Sequence, residues 1–251
     1  MSNIKISIII ATFNAANTLK RCLDSIVPQL TPACELIIID GGSKDRTNDI
    51  INSYGYAIDK HISEPDRGIY DAWNKGLKVS RGDWIMFIGA DDMLLEGALD
   101  FYLDYISEHT QDGIDFISAK IKSVREDYSF LQYTGKLWNY DRCRINMDVT
   151  HSGSLTNRNY FKRIGMFNIS YKIVGDYELL MRGGKQMKAA FVDYPILAMP
   201  IGGASFSVKG LKEQFKVKRS IGKVPYLACV LIFLVQLILF YTYNLRHTLK
   251  K

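Results

Sequence analysis

The 251-residue chain is poor in several things, and each shortage excludes a class of protein. Its four cysteines, Cys22, Cys34, Cys143 and Cys229, show neither zinc-knuckle nor redox-pair spacing, so no metal knuckle or disulfide framework is indicated. Such usage suits a reducing compartment. Cys22 falls on an apolar helical stripe and Cys229 in an apolar run, both packing positions. The four histidines, His61, His109, His151 and His247, are scattered and form no zinc cluster by spacing. No G-x-G-x-x-G follows the first strand-like run, and no G-x-x-x-x-G-K-[ST] occurs anywhere. The usual dinucleotide and P-loop phosphate cradles are therefore missing. A G-x-S-x-G nucleophile elbow is absent too. The opening Met1-Ser-Asn-Ile-Lys-Ile has no charged region followed by a cleavage site, so no secretory signal is expected.

What is present argues for a folded α/β protein. Hydrophobic residues make up 47% and charged residues 23%, which excludes intrinsic disorder. The formal charge of +6 at first suggests an acidic partner such as a nucleic acid. Split by position, it suggests something else. Ser205 to Lys251 holds nine basic residues and one acid, Glu213, for +8. Residues 1–204 keep 23 bases and 25 acids, for −2, so no nucleic-acid partner is expected.

The tail contains Val224 to Tyr243, twenty residues with no charge and one Gln. About twenty apolar residues are what a bilayer-spanning helix needs. Tyr226, Tyr241 and Tyr243 lie near its ends, where interfacial anchors belong, and bases flank both sides. Membrane association is expected, as a span or a shallower insertion. More bases precede the run than follow it, which puts the preceding domain in the cytoplasm. A buried helix or a dimerisation arm is the alternative.

Upstream, apolar runs alternate with helical stripes. Ile4 to Ala11, Glu35 to Ile39 and Trp84 to Ile88 read as buried parallel strands, and Ala57 to Ile62 as a third strand between the last two. Leu19, Cys22, Leu23, Ile26, Val27 and Leu30 recur at helical spacing, as do Ile69, Ala72, Trp73, Gly76 and Leu77. Further helices are predicted from Ser43 or Asp45 to about Ser53 and from Leu94 to Ile106. The alternation implies a parallel sheet with helices on both faces. From 115 to 205 the pattern is mixed, with a helix near Asp176 to Arg182.

Ligands of such sheets bind at the carboxyl ends of the strands. Those ends carry Thr12-Phe13-Asn14, Asp40-Gly41-Gly42, Glu64-Pro65-Asp66-Arg67-Gly68 and Gly89-Ala90-Asp91-Asp92. Adjacent carboxylates at Asp91 and Asp92 suit a hard divalent ion that also takes phosphate oxygens, or they cap the next helix. Asp40 could accept from a base edge or a ribose hydroxyl, or simply form the turn before Gly41-Gly42. Asp71, Asn74, Lys75 and Lys78 read as the polar face of the Ile69 helix, from which Lys75 could reach phosphate or solvent.

The strings ISIIIATFNAANTLKRCLDSI, LIIIDGGSKDRTNDII and SEPDRGIYDAWNKGLKVSRGDWIMFIGADD together resemble glycosyltransferase family 2. The resemblance runs from about residue 4 to 205 and is most specific in the first 95. It implies a GT-A fold, a Rossmann-like nucleotide-binding sheet with helices on both faces, to which this chain adds a C-terminal apolar membrane-associated helical segment. The implied layout is a glycosyltransferase domain over 1–205, with a nucleotide-sugar half at 1–110 and an acceptor half at 111–205, then a basic and apolar membrane-association segment at 206–251. The implied activity is inverting transfer of a hexose or N-acetylhexosamine from a UDP-sugar, with Mg²⁺ or Mn²⁺. Carried over by position, Thr12, Asn14 and Asp40 line the nucleoside pocket, with Asp40 facing the base, and Asp66 closes it. Asp91 points to ribose or metal, and Asp92 is the direct metal ligand. Many members carry an acid where this chain has Gly89, so its metal site relies on Asp91 and Asp92.

His151-Ser-Gly-Ser, Arg163-Ile-Gly-Met-Phe and Val174-Gly-Asp-Tyr-Glu-Leu-Leu-Met-Arg resemble the acceptor side of the family. There an acid at a helix start is the general base, and Asp176 fits; the alternative is an Asp that only caps the helix ahead of its apolar stretch. Glu178 is two residues on and cannot share its face. His151 is open to two readings, a contact to donor phosphate or acceptor, or a buried structural residue. With the tail, the resemblance implies a lipid-linked saccharide acceptor, of polyprenyl-diphosphate type, at the cytoplasmic face of a bacterial inner membrane. The process expected is assembly of a surface polysaccharide such as O-antigen or capsule. The competing readings are a nucleotidyltransferase, which usually brings a Gly-rich basic loop absent here, and a non-catalytic membrane scaffold.

Overall fold

A computed structural model describes residues 4–125 and 127–248. Lys250 and Lys251, two bases of the tail, lie outside the described residues. The chain first lays down β1 (Ile6–Thr12), α1 (Leu19–Ile26), β2 (Cys34–Asp40), α2 (Thr47–Ser53), β3 (Lys60–Ser63), α3 (Ile69–Val79) and β4 (Trp84–Gly89). Next come β5 (Met93–Leu94), α4 (Ala98–Glu108), β6 (Phe116–Val124), β7 (Phe130–Thr134), α5 (Tyr140–Cys143), β8 (Leu155–Asn157) and α6 (Arg158–Ile164). Last are α7 (Gly175–Gly183), β9 (Ala189–Pro200), α8 (Val208–Ser220) and α9 (Tyr226–Thr248).

One sheet runs through residues 6–200 in the order β3-β2-β1-β4-β8-β6-β9-β5, with β7 paired to β6. The first four strands are parallel. β8 is antiparallel to both β4 and β6 and joins the two halves. The apolar runs are buried because side chains of successive residues leave opposite faces of the strand. Ile6, Ile8 and Ile10 enter one core with α1 and α4, while Ile9, Ile37 and Ile39 enter the other with α3 and α7. α3 packs closely because Gly76 has no side chain: a Cβ there would lie 2.5 Å from Ile9 Cγ2.

Three predicted elements shift. The third strand begins at Lys60, later than Ala57, because Gly55–Ala57 forms a 3₁₀ turn and β3 is an exposed edge without a continuous apolar run. The helix predicted from Leu94 begins at Ala98. Met93–Leu94 pair with β9 instead, and Gly97 (φ +74°) turns the chain into α4. Asp45 takes the Thr47 N–H at 3.0 Å just ahead of α2, whereas Ser43 is committed to Asp40. The register of β9 on β6 shifts near Pro195, which has no N–H to offer.

At the amino ends of the strands, buried Glu35 accepts from Ser7 Oγ (2.6 Å) and Arg81 Nε (2.7 Å). This acid braces the sheet at the end remote from the rim. At the rim, β1 lies between β2 and β4, so the chain order reverses there. Such a switch point is where open α/β sheets bind ligands.

Candidate active site

Thr12 and Asp40 sit opposite each other on β1 and β2. Both are enclosed, Asp40 at 0% exposure. Its carboxylate accepts from Thr12 Oγ1 (3.2 Å), Gly42 N (3.1 Å), Ser43 N (3.0 Å), Asn48 Nδ2 (3.3 Å) and Ser63 Oγ (2.7 Å), as well as from Ser43 Oγ. This corrects the expectation that Asp40 faces a base. Its lone pairs are spent on the chain's own donors, and the Thr12 hydroxyl is one of them, so both side chains shape the pocket from behind. Burial pushes the Asp40 carboxyl up, but hydrogen bonds led by Ser43 and Ser63 outweigh it and leave the group at about 2.

Asn14, Asp66 and Phe13 reach the surface. Asn14 is left-handed (φ 48°) and ties β1 to the next loop, through its N–H to Ser43 Oγ (2.8 Å) and its Oδ1 from Lys44 N (2.9 Å). Asp66 accepts from Gly68 N (2.7 Å). A Cβ at Gly41 would lie 2.5 Å from Asp66 Oδ2 and 3.3 Å from the Phe13 ring, so Gly41 is the floor over which the two side chains converge. Lys75 is paired with Glu64 (2.8 Å) and donates to the Pro65 carbonyl (2.9 Å). It steadies the 64–66 loop. Asn74, expected on a polar face, is buried and exchanges two hydrogen bonds with the Phe167 backbone.

Asp40→Ala should lower unfolding stability by about 3 kcal/mol, because several enclosed donors lose their acceptor. The sign with pH follows from the depressed carboxyl. Its stabilisation is full above the ordinary value of 3.8 and is lost as pH falls toward about 2. Urea melts at pH 7 and pH 3 check this: the gap between parent and variant should narrow in acid.

The two carboxylates after β4 differ. Asp91 is exposed and Asp92 is 4% exposed. Asp92 Oδ2 accepts from Gly89 N (2.9 Å) and from Ser152 Oγ. A Cβ on Gly89 would lie 2.8 Å from Asp91 Oδ1 and 3.1 Å from Asp92 Oδ2. The two oxygens therefore converge over Gly89, and the missing side chain keeps that space open. Burial drives the Asp92 carboxyl up to about 7; Ser152 opposes the rise and the Asp91 charge adds to it. A cation there would favour the ionised form. Among the described residues no group of three or more His, Cys, Asp or Glu side chains gathers around one point. Two hard oxygens with the remaining positions left to phosphate and water is a donor set suited to Mg²⁺ or Mn²⁺.

Asp176 stands in the first turn of α7, half-buried. Its Oδ1 accepts from Tyr70 Oη at 2.9 Å, and the same hydroxyl reaches the Ile173 carbonyl at 2.7 Å. Gly175 permits this, since a Cβ there would lie 2.8 Å from the Tyr70 ring. Glu178 is turned into the core and pairs with Arg182 at 3.0 Å. The two acids are thus separated as their spacing implies.

Asp176, Ser152, Tyr133 and Trp73 line a cleft of about 640 Å³. Ser152 lines this cleft and also bonds Asp92, so it links the carboxylate pair to the space that Asp176 faces. His151 is buried and also lines this cleft, so the structure leaves both of its readings standing. Its ring packs among Trp73, Phe87 and Phe116, both ring nitrogens are enclosed without a partner among the described residues, and burial lowers its pKa despite Asp176.

Tyr70 and Ser152 were not singled out by sequence. Tyr70 lies off the apolar stripe of its helix, and its partner is 106 positions away. Ser152 could have been suspected only from its place between His151 and Gly153.

The model for glycosyl transferase family 2 matches residues 7–165. The PGL/p-HBAD biosynthesis glycosyltransferase of Mycobacterium bovis is 32% identical over 180 residues, which cover 70% of this chain and 68% of that protein. Among solved structures, Staphylococcus aureus TarS (residues 1–349, in complex with UDP-GlcNAc) superposes with a TM-score of 0.69 at 18% identity, over 93% of this chain and 72% of that one. The mannosyltransferase PcManGT of Pyrobaculum calidifontis, in complex with GDP-Man and Mn²⁺, gives 0.65 at 15% identity, over 88% and 66%. At those identities the structures speak to the fold, which is GT-A. With the acids gathered at the switch point and the sequence match running through both of its sides, this chain belongs to glycosyl transferase family 2.

Proposed function

We propose that the protein is an inverting, metal-dependent glycosyltransferase that moves a hexose or N-acetylhexosamine from a UDP-sugar to a lipid-linked saccharide. The observation that carries this is the cleft shared by Asp176 and Ser152, with Ser152 bonded to Asp92. A base for the acceptor and a carboxylate pair for the donor thereby meet at one cavity.

The donor lies across the switch point, with its nucleoside near Phe13, Asn14 and Asp66. Asp91 and Asp92 would hold Mg²⁺ or Mn²⁺, and the ion would supply positive charge to offset that of the diphosphate. Tyr70 keeps the Asp176 carboxylate aimed into the cleft. Asp176 takes the proton from an acceptor hydroxyl, and that oxygen attacks the anomeric carbon opposite the leaving group. The C1–O bond to the diphosphate breaks, and its electron pair leaves with UDP. An α-linked donor then gives a β-glycoside.

A UDP donor is favoured by TarS, which takes the same fold and was crystallised with UDP-GlcNAc. A lipid-linked acceptor, of polyprenyl-diphosphate type, is favoured by α9, the one helix among the described residues long and apolar enough to cross a membrane. Together these support work at the cytoplasmic face of a bacterial inner membrane, in surface-polysaccharide assembly. A screen of UDP-sugars with Mn²⁺ and a synthetic lipid-diphosphate N-acetylhexosamine acceptor tests the reading. Release of UDP together with an extended acceptor is expected; release of pyrophosphate would identify a nucleotidyltransferase, and no turnover of any donor a scaffold.

A further inference from the structure

The C-terminal helices form a groove that the proposed reaction does not use. α8 and α9 lie side by side, joined at residues 221–225. Phe233 of α9 meets Phe215 of α8 at 6.0 Å, and Phe240 meets Phe206 at 5.2 Å. Between these contacts is a polar clamp. Gln236 donates to Gln214 at 3.2 Å, and Lys218, 1% exposed, donates to the amide oxygens of Gln214 (3.3 Å) and Gln236 (3.2 Å). Gln236 is the single polar amide of the 224–243 run, and it faces α8.

The opposite face of α9 is bare: Leu227, Leu231, Leu234, Val235 and Ile238 are exposed. Lys209, Lys212, Lys216 and Arg219 of α8 are exposed as well. A helix clamped along its length to so basic a neighbour cannot cross the hydrocarbon without taking those charges with it. Lying in the interface suits it better, with the bare face in lipid and the α8 bases among anionic headgroups.

Between the two helices runs a groove of about 470 Å³, lined by Leu211, Leu239, Phe240 and Phe206 with Gln214 and Gln236. Ser205, Phe206 and Gln214 line both this groove and the cleft that holds Asp176. The groove therefore adjoins the reaction cleft across these three residues, and apolar surface predominates in both. We infer that it holds the isoprenoid chain of the lipid-diphosphate acceptor and leads the saccharide end from the membrane surface to Asp176. This inference rests on the lipid-linked acceptor proposed above.

Photolabelling of the full chain in solution tests it, with a benzophenone-bearing farnesyl diphosphate as probe and peptide mapping as readout. Adduct should concentrate in residues 205–214 and 236–240 and fall at least tenfold under excess unlabelled farnesyl diphosphate. Leu239→Trp, at an exposed position lining the groove, should cut that labelling at least fivefold. Its sedimentation with phosphatidylglycerol vesicles should match the parent. Adduct spread over Leu227, Leu231 and Leu234 and insensitive to competitor would overturn the groove, as would full labelling of Leu239→Trp. The vesicle assay addresses the membrane reading separately: a parent chain that stays in the supernatant overturns that reading whatever the labelling map shows.

Discussion

Asp176→Asn should reduce sugar transfer by ~10²–10⁴-fold, the range that a positioned general base contributes. The substitution is nearly isosteric. An amide oxygen can still accept from Tyr70 Oη, now 2.9 Å from Oδ1, so the start of α7 keeps its brace. What is lost is the ability to take a proton from the acceptor hydroxyl. Nothing in the nucleoside pocket changes, and UDP should bind as tightly as before by calorimetry. Full transfer by the variant would remove Asp176 from the chemistry. Glu178 could not then replace it, because its carboxylate is buried against Arg182.

Asp92→Asn should cost ~10²–10³-fold in kcat/KM, comparable to removing one preorganised charge-stabilising group from an active site. The fold should survive, since an amide oxygen in place of Oδ2 still accepts from Gly89 N and from Ser152. The charge opposite Asp91 disappears, and the oxygen left above Gly89 is a neutral amide that holds a hard cation less strongly than a carboxylate. A titration of transfer rate against Mn²⁺ should show the half-saturating metal concentration rising at least tenfold in the variant. An unchanged metal profile would dissociate Asp92 from the cation, and parent activity that persists in EDTA would dismiss the metal altogether.

Legibility from sequence followed the range of the interactions. β1, β2 and β4 could be read because a parallel strand buried on both faces is apolar almost throughout, as Ile6 to Thr12 is. The α1 stripe could be read because Leu19, Cys22, Leu23 and Ile26 are local neighbours on one helical face. Strand β3 lies at an edge, and Met93–Leu94 become strand only because β9 arrives from a hundred residues away. The acids of the rim could be located by their strand ends, but not the direction in which they point. Asp40 and Asp66 look alike in sequence, yet only the fold shows that Asp40 is ringed by its own chain's donors and Asp66 is not. Helix α8 was not anticipated, since its buried residues answer to different partners: Val217 joins the core that holds α3 and α7, and Lys218 is tied to Gln236 of α9.

The strand β8, three residues long, has a mechanical consequence. Because it is hydrogen-bonded to β4 on one side and β6 on the other, the sheet passes unbroken from the Asp92 side to the Asp176 side. Two lobes joined by a flexible linker can swing together around a substrate; two halves that share a continuous ladder cannot. The spacing between the Asp91–Asp92 pair and Asp176, the proposed base, is then largely set by the shared sheet when the chain folds. Reach toward acceptors of different size then falls to the loops and to the helical tail, the parts that can be exchanged without moving the chemistry.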